Sequence, residues 1–303
     1  MKNILVIGGT GFLGSALVHE LARRSASAAS FLTLPTRRRE RVKHLLVLPT
    51  ARVIEADVHD PATLARLMAG QDAVINLVGV LKGGEGEPYG KGFARAHVEL
   101  PQKIAAAART AGVRRVLHVS ALKAATDAPS GYLRSKAAGE AVLLDAGLDL
   151  TLFRPSVIFG AGDAFLTLFA KLARIAPLFP LAGADARFQP VWVEDVVATV
   201  AESLQRSESI GATYELGGPK QYSLRELVRY AAAVSGHPRA VIGLPEAVAW
   251  LQAWAMEFIP NGPMTRDNIR SMRVASVCEG DGALPFGRTA AALETVAPTY
   301  LRG

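Results

Sequence analysis

The chain opens on "NILVIGGTGFLG", Asn3 to Gly14, and this stretch decides the fold. Ile4 to Ile7 form a short apolar run of the kind that is buried on both faces of a parallel sheet. Gly8, Gly11 and Gly14 then recur at three-residue intervals, and a helical pattern continues to Arg24. Between a strand and a helix each glycine has a physical task. The first permits a tight turn, the second lets backbone N–H groups approach a pyrophosphate, and the third lets the helix pack against the sheet. The helix N-terminus adds partial positive charge. Gly8, Thr10, Gly11, Phe12, Leu13 and Gly14 are therefore expected to hold a dinucleotide.

Outward from this loop, strands and helices alternate. "SFLTLPT" (Ser30–Thr36), "ARVIEAD" (Ala51–Asp57), "DAVINLVG" (Asp72–Gly79), "RRVLHVS" (Arg114–Ser120) and "DLTLFRPSVIFG" (Asp149–Gly160) read as strands two to six. Helices are expected over Pro61–Ala69, Val98–Ala111 and from Tyr132 to about Ala146, stopped by Gly70, Gly112 and Gly147. Such alternation makes right-handed crossovers and a parallel sheet covered on both faces. The expected class is α/β, a Rossmann-like doubly wound parallel sheet with a smaller, interleaved C-terminal lobe. Residues 1–158, completed by about 188–206, would bind the dinucleotide. Residues 159–187 and 207–303 would form a lobe for substrate or partner, closing over the carboxyl ends of the strands, where open α/β sheets bind ligands. "VLKGGEGEPYGKGF" (Val80–Phe93) carries five glycines and reads as a mobile loop, a lid or a partner-binding surface.

Strand two selects the cofactor. An acidic residue after it would bond the adenosine ribose; here Thr36, Arg37, Arg38 and Arg39 follow. Arginines at a helix N-terminus oppose the helix dipole, and a ligand phosphate resolves that conflict. NADP(H) is therefore expected, with NAD(H) the less favoured alternative and Arg37 and Arg38 on the 2′-phosphate. Asp57 and Val58 would lie beside the adenine, although Asp57 could equally cap the next turn. Leu77, Val78 and Gly79 would flank the ribose, and Pro155 and Val157 complete the cofactor set.

"YLRSK" (Tyr132–Lys136) puts a phenol and an ammonium one helical turn apart, just after the strand that ends in Ser120. In carbonyl reduction Tyr132 would give the proton, Lys136 would lower its pKa and bond the nicotinamide ribose, and Ser120 would orient the substrate oxygen. The competing readings are a surface ion pair between Lys136 and Glu140, worth about half a kcal/mol, and, the more serious, a vestigial pair that positions the cofactor without turning over substrate.

Composition sets the outer bounds. Of 303 residues, 50% are apolar, enough for a large core without staples. Cys278 is the single cysteine, so no internal disulfide can form. No signal peptide or membrane-spanning run is apparent, and a cytoplasmic protein is expected. The net charge of +7 suggests an anionic ligand or surface. Aromatics do not interleave with the basic residues, so nucleic acid is not an expected partner. No metal site is expected. "PEAVAWLQAWAMEFIP" (Pro245–Pro260) puts Trp250 and Trp254 on one helical face beside Leu251 and Phe258. Core packing is the favoured reading. The alternative is a face for a hydrophobic, quinone-like molecule, or for peripheral contact with a membrane complex at the inner face of the cytoplasmic membrane.

"GGTGFLG", Ser120, "YLRSKAAGE", "FRPSVIFG" and "PVWVEDVV" together resemble the atypical and extended branches of the short-chain dehydrogenase/reductase superfamily, the epimerase/dehydratase-like group. "PTRRRERVKHL", "INLVGVLKG", "HVELPQKI" and "MTRDNIRSMRV" resemble more specifically the nucleotide-binding accessory subunit family of respiratory complex I and its bacterial relatives. The first resemblance implies an oxidoreductase or epimerase/dehydratase with Ser120, Tyr132 and Lys136 as its catalytic set. The second implies NADP(H) held through the glycine loop and the arginines, as a structural rather than a consumed nucleotide, in an accessory or assembly role linked to respiratory or quinone metabolism.

Overall fold

The computed structural model describes residues 1–24, 31–259, 262–280 and 284–302. Seven strands build one sheet: β1 (Asn3–Ile7), β2 (Phe31–Thr36), β3 (Ala51–Glu55), β4 (Ala73–Asn76), β5 (Arg115–Val119), β6 (Asp149–Pro155) and β7 (Thr213–Leu216). Their order is β7-β6-β5-β4-β1-β2-β3, and every pairing is parallel. Central strands are covered on both faces in such a sheet, and all five residues of β5 are buried, Arg115 and His118 among them. Ser30, expected in the second strand, lies outside the described residues.

Helices cover both faces. On one side α1 (Phe12–Arg24) packs with its Leu17, Val18 and Leu21 against Ile4, Val6, Leu117 and Phe153 of the sheet. On the other, α2 (Pro61–Met68) and α3 (Leu100–Ala111) bury Leu64, Met68, Leu100 and Ile104 against Leu5, Ile7 and Val74. Asp60 starts α2 by accepting the Thr63 N–H at 2.9 Å, and Gly112, at φ +72°, ends α3. The next helix, α4 (Gly131–Leu144), starts at Ser130, whose hydroxyl accepts the Leu133 N–H. The strand order reverses between β1 and β4, which opens a crevice at the carboxyl edge of the sheet.

Several elements depart from expectation. The third helix begins early: Lys91–Phe93 and a π-type turn, Ala94–Glu99, lead directly into α3. The sixth strand stops at Pro155, and the following Ile158–Phe159 pairs instead with Val191–Trp192. Thr213–Leu216, expected in the lobe, is the seventh strand of the main sheet. Val80–Phe93 is not a loose loop. The Gly92 N–H donates to the Gly83 carbonyl at 2.9 Å, and Cβ atoms on Gly83 and Gly90 would run into the Phe93 ring and the Gly84 carbonyl. Gly83, Gly90 and Gly92 serve close packing and Gly84 a positive φ of +77°, rather than mobility.

The C-terminal part adds α5 (Leu166–Ile175), α6 (Val193–Ser203, against α1), α7 (Leu224–Val234), α8 (Glu246–Glu257) and α9 (Arg266–Ser271). Leu178–Leu181 and Ala240–Gly243 form a parallel ribbon beside them. The structure overturns core packing for the large residues of α8. Ala249 and Ala253 face inward, Trp250 is half-buried, and Leu251, Trp254 and Phe258 are exposed. Pro260, at the end of that segment, lies outside the described residues.

Candidate functional site

The switch point gathers residues from far apart in the chain. Gly8 leaves β1 at φ +83°, and a Cβ on it would come 3.1 Å from the Leu77 carbonyl carbon and 3.2 Å from the Val78 nitrogen. A Cβ on Gly14 would run into the Gly8 carbonyl, so α1 sits against its own loop as closely as only glycine permits. Gly11 is exposed, and Thr10, Phe12 and Leu13 are half-buried at the start of α1. This cradle leaves backbone N–H groups of the first helical turn for an anion.

Asn76, buried at the end of β4, shapes the opposite wall. Its carbonyl oxygen accepts the Val78 N–H at 3.2 Å, and its amide nitrogen lies 3.0 Å from His118 Nδ1. The Leu77–Gly79 turn is thereby set against the glycine loop. Lys136 reaches the same turn from α4. Its ammonium donates to the Val119 carbonyl at 3.1 Å and to the Val78 carbonyl at 3.4 Å, and the side chain is buried. The surface-pair reading therefore fails. Glu140 forms a bidentate pair with Arg154 on β6 instead, and Lys136 points into the crevice. Burial lowers the Lys136 pKa to about 8, opposed by the nearby Glu140 charge.

Ser120 follows β5, where its hydroxyl is buried with no hydrogen-bond partner among the described residues. A buried polar atom of that kind at a strand's carboxyl end is free for a ligand oxygen. Tyr132 packs edge-on against Phe93 and His97, with ring centroids 6.0 and 5.6 Å away. Burial pushes its phenol up to about 12, so the lowering expected from Lys136 does not prevail.

The π-type turn delivers His97 to the same place. The Val80 N–H donates to His97 Nε2 at 3.0 Å, which leaves the ring proton on Nδ1 to bond the Ser135 hydroxyl at 2.8 Å. Ser135 in turn donates to the Tyr132 carbonyl at 2.7 Å. Burial, with Lys136 and His118 adding charge repulsion, lowers the His97 pKa to about 2. Neither this chain nor the Asp267 carboxylate, which accepts the Gly131 and Tyr132 N–H groups at 2.7 and 3.0 Å, is visible from local sequence patterns. In the sequence Asp267 stands out only as part of "MTRDNIRSMRV".

On the other side of the switch point, Arg37 and Arg38 are exposed just after β2. Asp57 follows β3 and caps its own turn, its Oδ1 accepting the His59 N–H at 2.9 Å, while Oδ2 lies 3.9 Å from Arg95. Val58 packs toward the α2–α3 side of the core. Pro155 ends β6 and accepts the Leu122 N–H at 3.1 Å, and the Val157 carbonyl is taken by the Val191 N–H. The glycine loop, Leu77–Gly79, Ser120 and Lys136 thus converge, whereas Arg37, Arg38 and Asp57 lie toward β2 and β3. Among the described residues, no group of three or more His, Cys, Asp or Glu side chains could hold a metal ion.

This fold and crevice define a nicotinamide-dinucleotide-binding protein. The model of the NAD dependent epimerase/dehydratase family matches residues 4–217, and the chain belongs to that family. It is 32% identical over 265 residues to the Arabidopsis thaliana mitochondrial NADH dehydrogenase [ubiquinone] 1 alpha subcomplex subunit 9, spanning 84% of this chain and 63% of that protein. It is 31% identical over 259 residues to the ceramide reductase of Caulobacter vibrioides, spanning 83% of this chain and 78% of that one. Among solved structures it resembles the Escherichia coli NADPH-dependent quinone oxidoreductase QOR2 complexed with NADPH, at a TM-score of 0.77 and 22% identity, covering 98% of this chain and 99% of that one.

Proposed function

We propose that this protein is an NADP(H)-dependent oxidoreductase acting on the carbonyl of a hydrophobic substrate of the lipid or quinone class. The observation that carries the reading is the buried Lys136 ammonium. It is held between the Val78 and Val119 carbonyls beside an unpartnered Ser120 hydroxyl, where the glycine loop and the Leu77–Gly79 turn meet. A buried cation without a carboxylate partner is a destabilising arrangement that a ligand would justify.

Gly8, Thr10, Gly11, Phe12, Leu13 and Gly14 hold the pyrophosphate, Arg37 and Arg38 the 2′-phosphate, and Val58 the adenine. Leu77, Val78, Gly79, Pro155 and Val157 flank the nicotinamide half. When bound, the reduced nicotinamide supplies the hydride that reduces the carbonyl carbon. Ser120 donates a hydrogen bond to the carbonyl oxygen, and Tyr132 delivers the proton to it as charge develops. Lys136 has a third N–H beyond its two main-chain bonds, and this bonds the ribose. With its phenol raised to about 12 by burial, Tyr132 carries at neutral pH the proton that it gives, as a weaker acid than one poised near neutral pH. The ceramide reductase and the quinone oxidoreductase, which by name act on a lipid and a quinone, support a substrate of the lipid or quinone class.

A second reading rests on the packing of Tyr132 against Phe93 and His97 and on its raised phenol. With the likeness to a complex I subunit, these support a non-catalytic, nucleotide-stabilised accessory or assembly factor of a respiratory or quinone-synthesising complex. Single-turnover mixing of the NADPH-loaded protein with short-chain quinones and with lipid ketones separates the two. The first reading expects NADPH absorbance to decay, and the decay to slow by about 100-fold or more in Tyr132→Phe with nucleotide affinity unchanged. No decay with any of these would favour the second, whereas equal decay in the variant would mean that turnover occurs without Tyr132 as the acid.

A further inference from the structure

Helix α8 is inverted relative to an ordinary surface helix. Its small residues, Ala249 and Ala253, are buried against Ala182 and Ile269, while Leu251, Trp254 and Phe258 are 63%, 47% and 72% exposed. The rings of Trp254 and Phe258 meet edge to face at 5.1 Å. The apolar face continues onto the neighbouring ribbon. The Gln252 amide donates to the Pro180 carbonyl at 3.2 Å, and Ile242, the register partner of Pro180, is exposed. Helix α5, whose C-terminal end leads into that ribbon, carries exposed Lys171, Arg174 and Ile175. The acids of α8 are neutralised, Glu246 by Arg273 at 2.7 Å and Glu257 by Arg266 at 2.9 Å. What remains is a band of aliphatic and aromatic side chains, and the cations Lys171 and Arg174 of α5, with Arg239 just before the ribbon and bonded to the Ala173 carbonyl, form no ion pair among the described residues.

We propose that this face docks on an anionic lipid surface, with α8 lying in the plane of the headgroup boundary. A large exposed apolar patch marks an interaction surface. Tryptophan is favoured at the boundary between headgroups and acyl chains, and flanking Lys and Arg add attraction to anionic headgroups. The net charge of +7 has the same sign. No helix among the described residues is long and apolar enough to cross a membrane, so the contact is peripheral. The docking face stands one helix from the candidate site. Glu257 pairs with Arg266, and Arg270 stacks 5.1 Å over Trp250. The same helix, α9, carries Asp267, the residue that binds the start of α4. A lipid-soluble substrate would thus be collected beside the crevice. That consequence rests on the proposed reductase reading, whereas the docking itself does not.

The test is flotation of the full chain, without nucleotide or substrate, with vesicles of phosphatidylcholine alone and with phosphatidylglycerol added. The protein is expected to float with the mixed vesicles and much less with phosphatidylcholine alone. The exposed double variants Leu251→Gln/Phe258→Gln and Lys171→Glu/Arg174→Glu should each weaken binding about tenfold or more, with unchanged unfolding midpoints. Failure of the wild-type chain to float, or equal flotation of the Leu251/Phe258 variant, would overturn the proposal. So would self-association in sedimentation that this variant abolishes in the absence of vesicle binding, since the face would then belong to a second copy. Carbonyl reduction with soluble substrates is unaffected by either outcome.

Discussion

The Asp267 carboxylate accepts the main-chain N–H of Tyr132 at 3.0 Å, 135 residues away in the chain. Its other oxygen takes the Gly131 N–H at 2.7 Å, so one buried side chain satisfies two of the free donors at the start of α4. A negative charge there also complements the helix dipole. Asp267→Ala removes both acceptors and should destabilise the protein by about 2 kcal/mol, while Asp267→Asn, which keeps one acceptor, should cost about half as much. Urea unfolding checks this. Equal, negligible losses in both variants would mean that α4 starts without help from α9.

The buried histidines make stability depend on pH. His97 titrates at about 2 in the folded protein and near 6.5 when unfolded, so below pH 6.5 the unfolded chain binds the extra proton. Its contribution is complete above pH 6.5 and is lost progressively as the pH falls. His118, lowered to about 3 chiefly by burial, acts in the same sense. Each should remove up to ~1.4 kcal/mol per pH unit in that range. The urea midpoint is predicted to fall between pH 6.5 and 5, and to fall less steeply in His97→Gln. A variant slope equal to that of the wild type would show that His97 is not buried in its neutral form.

The glycine-rich strap supplies a packing test. Its ties are the Lys82 ammonium on the Gly262 carbonyl, Arg270 on Glu85 at 3.0 Å and Arg134 on the Pro88 carbonyl at 2.7 Å. Gly83→Ala would push a methyl group into the Phe93 ring and Gly90→Ala into the Gly84 carbonyl. Each is expected to destabilise by about 1–3 kcal/mol and to open the strap to proteolysis. Gly84→Ala makes no such clash but places a side chain at φ +77°, so it should act through backbone strain alone. Wild-type protease resistance in Gly90→Ala would contradict the packed strap.

Where local chemistry dominates, the sequence was legible. The glycine spacing, the alternation of strands and helices from β1 to β5 and the stops at Gly70, Gly112 and Gly147 are each written in short stretches of sequence, and the fold has them. The approach of Lys136 to the crevice was legible too, because α4 starts just beyond the strand that ends beside Ser120. What escaped depends on tertiary context. Gly83, Gly90 and Gly92, read as slack in Val80–Phe93, are there for contact. The apolar run after Pro155 leaves the sheet to pair with Val191–Trp192. Burial outweighs the Lys136 charge at the Tyr132 phenol. The inward face of α8 is chosen by two alanines, which gave no signal beside two tryptophans.

The central claim is that a phosphorylated dinucleotide spans the switch point from the glycine loop to Arg37 and Arg38. Calorimetric titration of the purified chain with NADPH and with NADH, repeated on Arg37→Ala/Arg38→Ala, tests it most directly. NADPH is predicted to bind at least about tenfold more tightly than NADH, and the double variant to lose that preference while keeping its NADH affinity. Absence of heat with either nucleotide, or equal losses for both in the variant, would contradict the account.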